Sequence, residues 1–197
     1  AEQSGFIADI GFETYQKIMR QAIAELRAEG LDVEGLSDEE AQTVKAEAYI
    51  EDSHIEIDML AELPDSYVRQ PAEKLRLYRE LDSIHREEDL VAFESRLVDR
   101  FGALPEAAVE LLNVVRLRWE AVRLGMERVK VKNGLMIVHF VGEQNSPYYR
   151  SDVFMDMLRK ITAEPDRFVL KQHNNRLAMT VRNTKDIEDA WKTSRAL

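Results

Sequence analysis

Hydrophobic positions recur every three to four residues through 105–124, PEAAVELLNVVRLRWEAVRL, and the rest of the chain is read around that stretch. On a helical wheel Ala107, Leu111, Leu112, Val114, Val115, Trp119 and Val122 fill one broad arc. Glu106, Glu110, Asn113, Arg116, Glu120 and Arg123 line the other side. An apolar arc that wide predicts a central helix packed against several neighbours. Pro105 suits the first turn, where its missing N–H has no partner to lose, and Gly125 can take the left-handed conformation that closes a helix. Arg118 falls inside the apolar arc, so it must reach outward or meet a carboxylate.

The same period predicts helices over 12–29, about 71–84, about 87–101 and 148–161, and a short last one after Thr184, which can cap it. The first carries a sticky stripe of Phe12, Tyr15 and Met19, expected to pack against protein. The third turns Leu90, Phe93, Leu97, Val98 and Phe101 inward. A period of two replaces the helical one at Val44, Ala46, Ala48 and Ile50, and again at Ile55, Ile57 and Met59, with His54, Glu56 and Asp58 on the opposite face. Asn133-Gly134 joins strands over 128–132 and 135–141, because both residues tolerate positive φ. His173-Asn174-Asn175 joins strands over 167–171 and 177–181. These elements make an α+β fold: an antiparallel sheet of hairpins packed against a helical cluster, preceded by an N-terminal helix.

Three segments follow from this pattern. Residues 1–29 are an N-terminal piece, whose opening AEQSGFIADIG begins without Met and reads as the cut edge of something longer. Residues 30–43 form an acidic linker with two glycines and little apolar content. Residues 44–197 are the α+β domain, without internal repeats.

Composition changes the picture in two ways. The chain is long enough, at 197 residues, to bury a sizeable core, and its 32% of charged residues is that of an ordinary globular protein. It contains no cysteine, which excludes disulfides and thiolate chemistry and fits a reducing, cytoplasmic setting. No apolar run reaches the length of a membrane span, and no signal-peptide pattern is present. The net charge of −10 is unevenly spread. Between Glu29 and Asp65 thirteen acids face one base, Lys45, a balance of −12 that leaves +2 for the remainder. The acidity belongs to one segment and leaves room for a basic surface elsewhere.

Candidate chemistry is sparse. There is no GxxxxGK[ST], no GxGxxG and no glycine-rich loop to cradle phosphate, so these residues are not expected to bind nucleotide. The four histidines fall on four predicted elements without metal-site spacing. His54, Glu56 and Asp58 share a strand face and could hold a divalent ion, but the wet face of an edge strand is the preferred reading. Arg116, Arg118, Arg123, Arg128, Lys130 and Lys132 outnumber Glu120 and Glu127, a basic stripe able to meet nucleic acid although it lacks interleaved aromatics apart from Trp119.

Two groups of residues carry a resemblance. EQSGFIADIGFETYQKIM resembles the end of the translocation motif shared by the bacterial transcription-repair coupling factor and the RecG helicase. HIEIDMLAELPDSYV, LRLYREL and LVDRFGALPEAAVELL resemble the C-terminal domain of the coupling factor. The resemblance implies the C-terminal regulatory, autoinhibitory domain of an ATP-dependent DNA translocase that removes stalled RNA polymerase and recruits excision repair through UvrA. It assigns residues 1–29 to the end of the translocation motif and the translocase domain, with ATP and Mg bound only by other parts of such a parent protein and no catalytic role for this fragment. Its implied partner is the N-terminal UvrA-recruiting module of the same chain, which it masks by intramolecular contact; UvrA and RNA polymerase follow indirectly, DNA through upstream domains, and no membrane is involved.

Residue by residue, Gln3 matches the glutamine of the translocation motif, and Asp99 an acid of the clamp helix that ends in Asp-Arg-Phe-Gly. One turn before Asp99 this chain has Arg96 where the family pattern has Glu. The rival readings are a free-standing protein-binding adaptor with an acidic segment and, less favoured, a metal-dependent enzyme built on His54, Glu56 and Asp58.

Overall fold

The computed structural model describes residues 11–28 and 49–197. Gln3, the linker over 30–43 and the 44–48 part of the first expected strand lie outside them. The described residues group into two compact units. One holds the first helix with Leu60–Leu112; the other holds 49–59 with Asn113–Leu197.

The first unit is helical. It contains α1 (Phe12–Ala28), α2 (Pro71–Asp82), α3 (Glu87–Phe101) and, through Leu112, the start of α4 (Glu106–Arg123). The Phe12–Tyr15 stripe packs within this unit: both side chains are buried, with ring centroids 5.4 and 6.0 Å from that of Tyr78. Tyr78 is itself fully enclosed, and its hydroxyl accepts the Leu63 N–H at 3.1 Å. Burial pushes its phenol up to about 12. Lys74, also buried, reaches Asp65, so its ammonium is paired where it leaves water. Pro71 opens α2 at a position where its missing N–H costs nothing. Glu87, Glu88 and Asp89 crowd the first turn of α3, at the positive end of the helix dipole. Gly102, at φ 88°, ends α3 by donating its N–H to the Val98 carbonyl at 2.9 Å. Leu90, Phe93 and Leu97 face inward as the spacing predicts, but Val98 does not; it is 42% exposed.

The second unit is built on a five-stranded sheet in the order β1-β2-β3-β5-β4. Its strands are β1 (His54–Ile57), β2 (Met126–Lys132), β3 (Leu135–Phe140), β4 (Phe168–His173) and β5 (Arg176–Val181). Both expected hairpins form. Asn133 and Gly134 have φ of 53° and 73°, and Asn174 and Asn175 have 48° and 64°, so each hairpin closes on two residues in the left-handed region. The second turn is therefore one residue tighter than the sequence suggests, with His173 and Arg176 paired across it. β3 and β5 join the hairpins in antiparallel register. β1 departs from that pattern: it lies parallel to β2, with Ile55 opposite Val129, which makes the sheet mixed. A parallel neighbour needs a long connection, and three helices intervene between β1 and β2.

One face of the sheet is buried through Val129, Val131, Met136, Val138, Phe140, Met179 and Val181. Helices cover it. Ser194 of α6 (Ile187–Ala196) donates its hydroxyl to the Ala190 carbonyl at 2.8 Å and stands 3.9 Å from the Met136 sulfur, and Phe154 of α5 (Asp152–Ala163) meets Phe140 edge-on at 6.4 Å.

α4 is more enclosed than its wheel indicates. Asn113 and Glu120, on the polar side, are only 6% and 8% exposed. Asn113 Oδ1 accepts the Trp191 Nε1–H at 3.0 Å, and Glu120 accepts Nε–H groups from Arg123 at 2.9 Å and Arg195 at 3.0 Å. The last helix thus covers polar residues by hydrogen-bonding to them, which a hydrophobic count does not detect. Arg118 is buried and meets a carboxylate, its Nε lying 3.8 Å from Asp52 Oδ1.

Two further expectations are corrected. The single helix over 148–161 is a 3₁₀ turn at Pro147–Arg150 followed by α5, broken at extended Ser151, whose hydroxyl caps α5 by accepting the Phe154 N–H at 3.2 Å. Thr184 does not cap the last helix; it is buried and donates to the Val181 carbonyl at 3.2 Å. The cap is Asp186, which immediately precedes the helix and accepts the Asp189 N–H at 2.7 Å. Among the described residues no helix is long and apolar enough to cross a membrane.

Candidate interaction surface

The C-terminal half of α3 carries the one described residue that the sequence marks as a contact site. Asp99 is exposed, and among the described residues it makes no hydrogen bond or ion pair. Its helical neighbours are arranged around it with purpose. Val91, Ser95, Val98 and Asp99 follow one another at spacings of four, three and one along the outer side, and Val91 and Val98 are 49% and 42% exposed. A carboxylate at a helix C-terminus is mildly unfavourable against the dipole, and apolar side chains left in water gain nothing there. The combination suits contact with another protein surface.

The charges on either side are already engaged. Arg96 pairs with Glu80 of α2 and stands 5.9 Å over the Phe93 ring. Arg100 donates to Glu73 at 2.5 Å, and Glu73 also takes Arg76 at 2.7 Å. Those two guanidiniums hold the Glu73 carboxyl below the usual carboxylate range, first through their hydrogen bonds. The end of the helix is pinned as well: Tyr67 donates its hydroxyl to the Gly102 carbonyl at 2.8 Å, and its ring lies 5.6 Å from that of Phe101. Asp99 therefore projects from a fixed helix end whose adjacent arginines are neutralised by acids of the same unit. The Glu80 and Tyr67 contacts were not legible in the sequence, since their partners lie 16 and 35 positions away.

The other candidates do not assemble into a site. His54 and Glu56 are exposed on β1, and Glu56 lies 3.4 Å from Lys130. Among the described residues no group of three His, Asp or Glu side chains is placed to hold a metal ion. The expected basic stripe divides. Arg118 is buried against Asp52, Arg123 binds Glu120 and the Ser194 carbonyl, and Arg116 stacks over Trp191 at 5.5 Å, while Arg128, Lys130 and Lys132 belong to β2.

Comparison with known proteins bears on the same stretch. Residues 55–151 match the family model described as the TRCF domain. The resemblance read from the sequence holds: the chain is similar to the C-terminal region of transcription-repair coupling factors. A transcription-repair-coupling factor of Escherichia coli K12 is 30% identical over 130 residues, covering 66% of this chain and 10% of its own length. Those of Staphylococcus epidermidis and Rickettsia prowazekii are each 26% identical, over 97% and 88% of this chain and 15% and 14% of theirs. The chain thus spans between about a tenth and a seventh of the length of these relatives. A crystal structure of the C-terminal domain of transcription-repair coupling factor superposes with a TM-score of 0.57 at 16% identity, covering 73% of this chain and 92% of that one. That likeness concerns the fold, and the α+β architecture is shared.

Proposed function

We propose that this chain is the C-terminal regulatory domain of an ATP-dependent DNA translocase acting in transcription-coupled repair, and that it masks the UvrA-recruiting N-terminal module of the same protein. Its own role toward the motor is contact, not catalysis; ATP and Mg are bound elsewhere in the parent, in the cytoplasm, and the translocating grip on DNA and the contact with RNA polymerase are made by other domains. The observation that carries the reading is the exposed Asp99 carboxylate, flanked by exposed valines at a helix end whose neighbouring arginines are neutralised internally. Such a carboxylate is available to a basic residue of another module, and the valines supply apolar area beside it.

The test uses the full-length protein. Asp99→Arg replaces attraction with repulsion at a close charge pair, an effect of about 1.5 kcal/mol or more, roughly tenfold in the closed-to-open ratio. UvrA binding by the full-length variant should rise by that order. Unchanged UvrA affinity would place the masking contact on another face, and a free-standing adaptor would show no dependence on an N-terminal module at all.

A further inference from the structure

Among the described residues of the second unit, helices cover one face of the sheet. On the other, alternation along each strand turns out a different set of side chains. From β1 these are His54 and Glu56; from β2, Arg128, Lys130 and Lys132; from β3, Leu135, Ile137 and His139; from β5, Arg176, Ala178 and Thr180; from β4, Val169, Lys171 and His173. The register aligns them in rows: Lys130, Ile137, Thr180 and Val169 in one, Arg128, His139, Ala178 and Lys171 in the next. Arg128, Lys132, His139, Lys171, His173 and Arg176 are exposed.

Charge balance on this face is one-sided. Arginines and lysines on the helices are commonly held by acids of their own unit, as Arg76, Arg96, Arg159 and Lys192 are. Here only Lys130 meets a carboxylate, that of Glu56 at 3.4 Å on the edge strand. Among the described residues Arg128, Lys132, Lys171 and Arg176 have no acid within ion-pairing distance. Asp58 borders the hollow beside Lys130 and Lys132, at the same edge as Glu56. The cations stand on β2 and at the β4–β5 hairpin, with Ile137, His139, Ala178 and Thr180 between them; Glu56 and Asp58 lie at the β1 edge, and the Glu127 carboxylate stands with the Arg176 guanidinium beside Gly142.

Geometry narrows the occupant. Four residues of strand separate Arg128 from Lys132, about 13 Å, and three strand steps separate β2 from β4, about 14 Å. The β2 cations on one side and Lys171 of β4 with Arg176 of β5 on the other are thus spaced comparably to the roughly 12 Å width of a B-DNA major groove, so they can reach phosphates on both of its rims. No Phe, Tyr or Trp projects from the face, which removes the stacking platforms on which single strands bind. We propose that the open face of this sheet is a duplex-DNA backbone surface, in which Arg128, Lys130, Lys132, Lys171 and Arg176 hold phosphates without reading bases. The acidic segment elsewhere in the chain lowers the absolute affinity but leaves the face as the place of contact.

Fluorescence anisotropy of a labelled mixed-sequence duplex titrated with the 197-residue chain tests this. Four phosphates neutralised correspond to a loss of roughly a hundredfold in affinity between about 50 and about 200 mM salt. Arg128→Glu/Lys130→Glu/Lys132→Glu should weaken duplex binding at least tenfold and flatten the salt dependence. Arg86→Glu/Arg159→Glu, exposed just before α3 and on α5, should leave both unchanged. Should the triple variant melt early, Lys132→Glu and Lys171→Glu singly serve, each expected to lower affinity several-fold. Equal binding by the triple variant and the parent overturns the proposal. So does tighter binding of the single strand than of the duplex, or binding of a polyglutamate peptide in place of DNA, which would make the face a docking site for acidic protein.

Discussion

Tyr148 lays its ring across the α-carbon of Gly125: a β-carbon at that position would stand 2.6 Å from the ring's Cζ. The Tyr148 hydroxyl donates to the carbonyl of Leu124 at 2.5 Å, and the ring is fully buried among Phe140, Tyr149 and Phe154. Gly125 has φ 71°, so it is needed twice, for the turn out of α4 and for the room it leaves. Gly125→Ala combines the left-handed penalty with overpacking against a ring that cannot move, about 2–4 kcal/mol together. Urea unfolding should show the midpoint drop; a loss under about 0.5 kcal/mol would mean the ring yields.

Tyr78 makes stability fall in alkali. Burial is the main cause that raises its phenol from 10.0 to about 12, so the folded chain holds this proton more tightly than the unfolded one. The resulting stability is complete below pH 10 and is lost as pH climbs through about 12. Tyr78→Phe should cost about 1–2 kcal/mol near neutrality, because the buried Leu63 N–H loses its acceptor. Between pH 10 and 12 the gap between parent and variant should narrow, since only the parent has this proton to lose. A gap that stays constant in that window counts against the buried phenol.

The last helix depends on Asp186. Its carboxylate accepts the Asp189 N–H at 2.7 Å, and Asp186→Ala should cost about 1 kcal/mol. Thr184→Val, which keeps the volume of a buried side chain but removes its bond to the Val181 carbonyl, should act on the end of β5 and leave the helix intact. Helical signal by circular dichroism separates the two. Comparable helix loss from Thr184→Val would restore it as the cap.

Asp99 provides the stability control for the masking contact. With no partner among the described residues and a position at the C-terminal end of α3, Asp99→Arg should leave the melting temperature of the 197-residue chain unchanged or slightly raised, within about 0.5 kcal/mol. A clear loss of stability would make Asp99 structural and remove the reason to read it as a surface for another module.

Much of this was legible in the sequence. Periodicity located every described helix within a few residues, because each buries one apolar stripe and a stripe leaves a 3.6-residue mark. Asn133-Gly134 and His173-Asn174-Asn175 announced their hairpins, the second one residue too long, because left-handed backbone selects glycine and asparagine. The family resemblance and the place of Asp99 on α3 were also readable from contiguous motifs.

What the sequence alone did not determine arises where distant residues meet. A wheel assigns Asn113 and Glu120 to water, yet Trp191 and Arg195 cover them with hydrogen bonds from a helix more than seventy positions away. Val98 continues an apolar period and still remains outside, because the core beneath α3 is already filled by Leu90, Phe93 and Leu97. The parallel placement of β1, and the strand order that gathers Arg128, Lys130, Lys132, Lys171 and Arg176 on one open face, follow from pairing across the whole unit. Alternation tells which side of its own strand a residue takes; only the assembled sheet decides which strands share that side.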